Sequence, residues 1–277
     1  MIQPINLFMT ALFVLLLILS LGTDTASAGR KVPDKDVVVI AHRGLARGYP
    51  ENTLSAFEHA LNTGVDYIEI DLRMTKDGIP IILHDATVDR TTDGRGPVGT
   101  FTLAELKQLE AGGIAGRRFA GERIPSLEEA LALIIPRGGK LLFDIKSGRD
   151  LDIQKVVRLI QRHRALKQVV VGARSLEDIR RFRSFDPDLC ILAFIPATHD
   201  IQKFATAGAD MIRLWADWIR LNPALVDRVH RFEKPVWVTA GRADRDELAQ
   251  LIALGVQGVL TDRPEVLLTL LKDLRSK

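Results

Sequence analysis

The chain has a single cysteine, Cys190, among 277 residues, so no internal disulfide is possible and stability must come from a buried core. Cys190 lies in the apolar run Leu189 to Phe194, where a buried and inert thiol is expected. Low-complexity tracts, linkers and blocks of like charge are missing, and Pro and Gly fall singly at turn-like positions, which favours one domain over two. No tract interleaves basic and aromatic residues, which argues against nucleic acid as a partner. The Arg-rich region from Arg158 to Arg183 reads as the solvated outside of helices. Only one hydrophobic run is long. Ile5 to Gly22 is almost unbroken apolar sequence, and Ala26-Ser27-Ala28 after it fits a signal-peptidase site. Residues 1–28 therefore read as a signal peptide or an N-terminal membrane anchor, residues 29–277 as the folded domain, and the location as extracytoplasmic, periplasmic or secreted. No Lys or Arg precedes Ile5, and no cysteine near the end of the run could carry a lipid. Residues 1–28 contain one charged side chain, Asp24, so without them the formal charge rises from +3 to +4. That small excess suits an anionic small substrate or contact with an anionic membrane surface.

The remaining length, about 250 residues, suits one large α/β barrel. Apolar, β-branched runs recur at Val37–Ala41, Tyr67–Asp71, Lys140–Ile145, Val169–Ala173, Leu189–Phe194, Asp210–Leu214, Pro235–Thr239 and Gly258–Thr261. Helical spacing appears between most of them, as in 51–62, 126–135, 151–164, 176–185, 223–232 and 245–254. Such alternation implies a parallel sheet, and eight strands close naturally into a (β/α)8 TIM-type barrel. The run Ile81–Leu83 is left over as the return arm of a β-hairpin. The segment Ala86–Pro136 is the longest departure from the alternation, a short insertion expected to act as a partial lid at the C-terminal mouth, with a helix capped by Thr102 and Glu105.

Chemistry concentrates between Tyr67 and Asp85. Alternate side chains of a strand share a face, so Glu69 and Asp71 aim two carboxylates at one point. Asp77-Gly78 is a turn signal, and folding back around Lys76 and Asp77 pairs Met74 with Ile79 and Glu69 with His84, placing an imidazole beside the two acids. The first strand ends in His42-Arg43-Gly44, a titratable ring and a guanidinium fork suited to phosphate. Asp144 and Lys146 share a face at another strand end. Clustered titratable groups of this kind mark a site. His59, His163, His199 and His230 fall on helical or loop positions without carboxylate partners and read as structural or exposed.

Taken in order, H-R-G, P-E-N-T, I-E-I-D, T-K-D-G, H-D, R-T-T-D-G, D-I-K and T-D-R-P resemble the glycerophosphodiester phosphodiesterase family, over nearly the whole chain after Lys35. The resemblance implies a (β/α)8 barrel, one divalent ion (Ca²⁺ or Mg²⁺), and His42 and His84 as the acid/base pair. It further implies Glu69 and Asp71 as metal ligands, Glu51 and Lys146 supporting the site, and Arg43 holding the phosphate. Asp144 stands where the family usually has a third metal-binding Glu, one methylene longer. Trp237 is displaced by one position, onto the opposite strand face, from the family's late Trp, which bears on the alcohol side of the pocket. Trp215 and Trp218 offer aromatic surface there, or pack helices. The expected activity is hydrolysis of a small glycerophosphodiester to glycerol phosphate and an alcohol, one histidine activating the nucleophile and the other protonating the leaving oxygen. Two alternatives stand beside it. One is a lysophospholipase D acting on lysophospholipids at a membrane. The other is a non-catalytic phosphoester-binding barrel, disfavoured by the presence of both histidines and all three carboxylates. Oligomeric state stays open.

Overall fold

The computed structural model describes residues 37–44, 48–146 and 151–276. The signal-peptide or anchor reading of residues 1–28 lies outside them. Among the described residues, no helix is long and apolar enough to cross a membrane.

Among the described residues nine strands form: β1 (Val38–Ala41), β2 (Tyr67–Met74), β3 (Pro80–Ile82), β4 (Leu141–Ile145), β5 (Val169–Ala173), β6 (Cys190–Phe194), β7 (Met211–Trp215), β8 (Val236–Gly241) and β9 (Gly258–Thr261). Their order is β1-β9-β8-β7-β6-β5-β4-β2-β3, and β1 also pairs with β2. Eight parallel strands therefore close into a ring, and β3 is an antiparallel arm outside it, as expected. Period-two alternation splits the apolar residues into two layers. Ile40, Leu142, Val170, Leu192, Phe194, Met211, Trp237 and Leu260 fill the barrel interior. Their neighbours Ile68, Ile70, Leu72, Phe143, Val171 and Ile191 pack outward against the helices.

Among the described residues there are ten α-helices. Six have side-chain caps, and five of these carry much of the wall: α1 (Leu54–Thr63), α3 (Leu127–Ile134), α4 (Ile153–Arg162), α5 (Leu176–Phe185) and α9 (Arg245–Ala253), capped by Thr53, Ser126, Asp152, Ser175 and Asp244. α1 begins three residues later than its spacing suggested because Asn52 takes a left-handed conformation (φ 58°) and Thr53 is the cap. α2 (Leu103–Leu106) is a single turn in the insertion, with Thr102 and Glu105 capping each other as expected. The others are α6 (Ile201–Thr206), α7 (Ala216–Leu221), α8 (Ala224–His230) and α10 (Pro264–Arg275). The insertion has a core of its own, in which Ile81 and Leu83 of the hairpin arm pack with Val88, Val98, Leu106 and Ile124.

The hairpin register differs from expectation by one residue. Met74 faces Pro80 and Leu72 faces Ile82, so His84 does not oppose Glu69 across a ladder. The cause is the turn. Thr75 closes a longer loop: its N–H donates to Ile79 O (3.0 Å), its Oγ1 accepts from Ile79 N–H (2.8 Å) and donates to Asp77 Oδ1 (2.5 Å). Ile79 is thereby held in the loop, and every later residue moves along by one.

Candidate active site

Glu69, Asp71 and Asp144 reach the barrel interior from adjacent strands, with Asp71 and Asp144 directly paired in register. All three are buried, and one oxygen from each lies within 4.8 Å of the others. Three carboxylates so close repel one another, and the surroundings answer with cations. Lys146 Nζ lies 2.5 Å from Asp144 Oδ2 and 3.1 Å from Asp71 Oδ1, and Arg174 Nη2 donates to Asp144 Oδ1 at 2.6 Å. Asn52 Nδ2 donates to Asp71 Oδ2 at 2.7 Å. Burial pushes the Asp144 carboxyl up, but Lys146 and Arg174 more than offset this and hold it below the usual range. Glu69 goes the other way: burial raises it well above the ordinary carboxyl value, the neighbouring Asp71 and Asp144 raise it further, and the Arg43 N–H and Lys146 only partly oppose them. The one-methylene shortening at Asp144 leaves it inside the cluster.

After β1 the chain turns sharply through His42-Arg43-Gly44. Arg43 is left-handed (φ 53°, ψ 32°), a conformation a non-glycine residue keeps only when its surroundings fix it. That conformation accompanies a 2.8 Å hydrogen bond from the Arg43 N–H to Glu69 Oε2. Gly44 also has positive φ (78°), and a Cβ there would lie 2.4 Å from the Phe57 ring. The Arg43 guanidinium donates to Glu51 Oε1 (2.9 Å) and has Nε 3.6 Å from Asp71 Oδ2. Burial raises Glu51, yet Arg90 and Arg43 outweigh it and keep the carboxyl ionised.

Both histidines are held in the same way. His42 Nδ1 bonds Asp262 Oδ1 at 2.5 Å, and His84 Nδ1 bonds Asp85 Oδ1 at 2.6 Å. A carboxylate at Nδ1 fixes the ring orientation, so any proton exchange by these rings would fall to Nε2. The bond from His42 and its charge hold Asp262 below the ordinary value; Arg90, then His84, do the same for Asp85. Arg73 clamps the His84 carbonyl with Nε (3.0 Å) and Nη2 (2.7 Å). Arg90 bridges Asp85 to Glu51, so a chain of ion pairs runs from the His84 loop to the His42 loop through Asp85, Arg90, Glu51 and Arg43.

The candidates Arg43, Glu51, Glu69, Asp71, Asp144 and Lys146 thus contact one another at the strand C-termini, His42 precedes Arg43 in the turn after β1, and His84 joins them through the ion-pair chain rather than the predicted ladder. Asn52, Asp85, Arg90 and Asp262 had no role assigned, although each stands inside a quoted motif. A carboxylate next to a histidine, or ending a barrel strand, is the signal that would have found Asp85 and Asp262. Arg174 corrects the reading of Arg158–Arg183 as a solvated helix exterior, because it lies just past β5 and binds Asp144. His199 is largely exposed, as expected, but does have a carboxylate partner, with Nε2 3.6 Å from Asp200.

Trp237 is buried at the barrel floor against Tyr67 (ring centroids 5.4 Å apart), level with Val38 and Gly258 at the strand starts, and does not reach the mouth. Trp215 is 43% exposed at the end of β7, whereas Trp218 packs on the core between barrel and helices. Burial pushes the half-buried Cys190 thiol up to about 11, so it stays protonated and inert.

Fold and pocket together define a (β/α)8-barrel enzyme with an acidic cluster able to take a hard divalent cation. Residues 42–203 match the glycerophosphoryl diester phosphodiesterase family. The chain is 35% identical over 239 residues to the glycerophosphodiester phosphodiesterase of Caldanaerobacter subterraneus subsp. tengcongensis, covering 85% of this chain and 98% of that one. Two solved structures are similar. The glycerophosphodiester phosphodiesterase of Agrobacterium tumefaciens has 29% identity and a TM-score of 0.72, with 83% of this chain and 98% of that one covered. A phosphodiesterase of Oleispira antarctica, in complex with the product sn-glycerol-3-phosphate, has 25% identity and a TM-score of 0.78, with 85% and 96% covered. The chain belongs to the glycerophosphoryl diester phosphodiesterase family and is an enzyme of that class, a phosphoric diester hydrolase.

Proposed function

We propose that the protein is an exported, metal-dependent phosphodiesterase that hydrolyses glycerophosphodiesters to glycerol phosphate and an alcohol. The observation that carries this reading is the buried trio Glu69, Asp71 and Asp144, together with two imidazoles each held at Nδ1 by a carboxylate. The trio fits a divalent ion. Its donors are all oxygen, its mutual repulsion calls for a cation, and Asp71 Oδ1 is buried with no hydrogen-bond partner of good geometry. Ca²⁺ or Mg²⁺ bound there would stabilise negative charge on the phosphoryl oxygens. The product named for the Oleispira relative supports glycerol phosphate as one product.

The residues then divide the work. Arg43, held between Glu51 and Asp71, and Lys146, held between Asp71 and Asp144, orient and neutralise the phosphate. One histidine takes the proton of the attacking hydroxyl or water through Nε2, and the other gives a proton to the departing alcohol oxygen. Asp262 and Asp85 keep each ring in place and stabilise its protonated form. Export is supported by the apolar run Ile5–Gly22 and the Ala26-Ser27-Ala28 site.

The test is a panel of glycerophosphodiesters and lysophospholipids incubated with purified protein and Ca²⁺ or Mg²⁺, with products identified by mass. Glycerol phosphate is expected from the first set. Turnover of lysophospholipids alone would replace this reading with lysophospholipase D, and no turnover with either ion would overturn it. Fractionation of expressing cells with N-terminal sequencing tests export, and a mature chain starting at Met1 in the cytoplasm would refute it.

A further inference from the structure

The half of the barrel opposite the carboxylates has a charge of its own. Counting round the ring, β7 stands across from β2, the strand of Glu69 and Asp71. On β7, Met211 faces the interior, so Arg213, two residues on, faces it one level nearer the mouth. Its guanidinium carbon lies 4.7 Å from the centroid of Phe194 and 4.0 Å from that of Trp215, a slot between two aromatic rings. The slot is built. Phe194 occupies space that Gly172 leaves free, since a Cβ at Gly172 would lie 2.4 Å from Phe194 Cε2.

Arg213 is 4% exposed, and its Nε and Nη1 are buried with no hydrogen-bond partner. Neighbouring Arg174 is spoken for by Asp144 and the Ile145 carbonyl, whereas among the described residues no carboxylate pairs with Arg213. Burial and the charge of Arg174 push Arg213 down to about 10, which still leaves it protonated at neutral pH. Burying an unpaired cation is strongly unfavourable unless an anion completes it, and a guanidinium fork matches a carboxylate or phosphate. The phosphoryl group undergoing transfer has Arg43 and Lys146 on the β1–β4 side. A substrate lying across the mouth brings its far end to β7.

We infer that Arg213 is a specificity residue that receives a second anionic group, a phosphate or carboxylate, carried by the leaving alcohol of the glycerophosphodiester. The inference rests on the phosphodiesterase reading above and adds to it a substrate class: diesters with anionic head groups rather than cationic ones.

Two substrates that differ only in the second anion make the test: glycerophosphoinositol phosphate and glycerophosphoinositol. The wild-type enzyme is expected to favour the first in kcat/KM by roughly ten- to a hundredfold, the range of hydrogen bonds to a charged group. Arg213→Gln should bring that ratio close to one by lowering kcat/KM for glycerophosphoinositol phosphate far more than for glycerophosphoinositol. Arg213→Lys, which keeps the charge and loses the fork, should give an intermediate ratio. Equal falls on both substrates would assign Arg213 to the transferred phosphoryl or to the fold, and an unchanged ratio would show that it binds no head group; either result overturns the inference. If Arg213→Gln does not fold, Arg213→Lys decides, a wild-type ratio refuting the proposal. A wild-type enzyme that turns over other glycerophosphodiesters but shows no preference refutes the inference alone. One that turns over none refutes the phosphodiesterase reading as well.

Discussion

Replacing Lys146 by Met tests whether the buried carboxylates depend on a cation. Lys146 Nζ touches both Asp71 and Asp144, and its side chain is only 16% exposed, so solvent does little to screen it. Removing one partner of a buried ion pair costs about 3–5 kcal/mol. The lower end applies, because Arg174 still holds Asp144 Oδ1 and Asn52 still holds Asp71 Oδ2. In a domain of this size each kcal/mol moves Tm by roughly 2–4 °C, so the variant should melt about 6–12 °C below wild type in chelator. A divalent ion binding the folded state adds about 2.7 kcal/mol at a hundred times its Kd. It also supplies the positive charge that the variant lacks, so saturating Ca²⁺ or Mg²⁺ should raise Tm more for Lys146→Met than for wild type. Scanning calorimetry of both proteins, with EDTA and with ion, makes the comparison. Equal melting in EDTA would show that Lys146 does not compensate the buried carboxylates, and no ion response in either protein would remove the metal site.

Other outcomes follow from the same geometry. His42→Ala and His84→Ala should each lower kcat by about 10²–10⁴-fold with Tm nearly unchanged, and near wild-type turnover by either would refute the acid/base pair. Glu69, raised by burial and its acidic neighbours, contributes stability that is full below its unfolded value of about 4.3 and is lost as pH rises through its higher native value. In chelator, wild type should therefore lose more stability than Glu69→Gln as pH rises from the unfolded carboxyl value of about 4.3 through the higher native one, and a bound ion should abolish the difference; parallel slopes in chelator would contradict this. Asp144→Asn should weaken ion affinity by removing a ligand charge, and Asp144→Glu should alter ion preference with a smaller loss of activity; if Asp144→Asn titrates with ion as wild type does, Asp144 is no ligand. Gly172→Ala should destabilise by about 1–3 kcal/mol, because its Cβ meets Phe194 and the Phe143 carbonyl; wild-type stability in urea would mean that the ring moves aside.

The barrel could be read from the alternation of β-branched runs with helical spacing because each strand is short and apolar on both faces. The Glu69–Asp71 pair could be read because i, i+2 spacing settles which side chains share a face whatever the rest of the chain does, whereas Asp144, on another strand, was joined to it only through the family resemblance. The hairpin register could not, since a tight Asp77-Gly78 turn and the longer loop closed by Thr75 have the same turn signal and differ by one hydrogen-bonding choice. Arg174 looked like one more solvated arginine because only the closure of β5 beside β4 brings it to Asp144. Arg213 was hidden for a similar reason, as Phe194, one of the two rings that enclose it, is brought beside it only when β6 pairs with β7.

The carboxylates and imidazoles come from β1, β2, β4, β9 and the loop after β3, while β6 and β7 bring Phe194, Arg213 and Trp215 to the mouth. Hydrolysis and head-group choice thus occupy separate arcs of one ring. A duplicated gene could drift at β6 and β7, acquiring a taste for new alcohols, while the other arc goes on breaking the same bond.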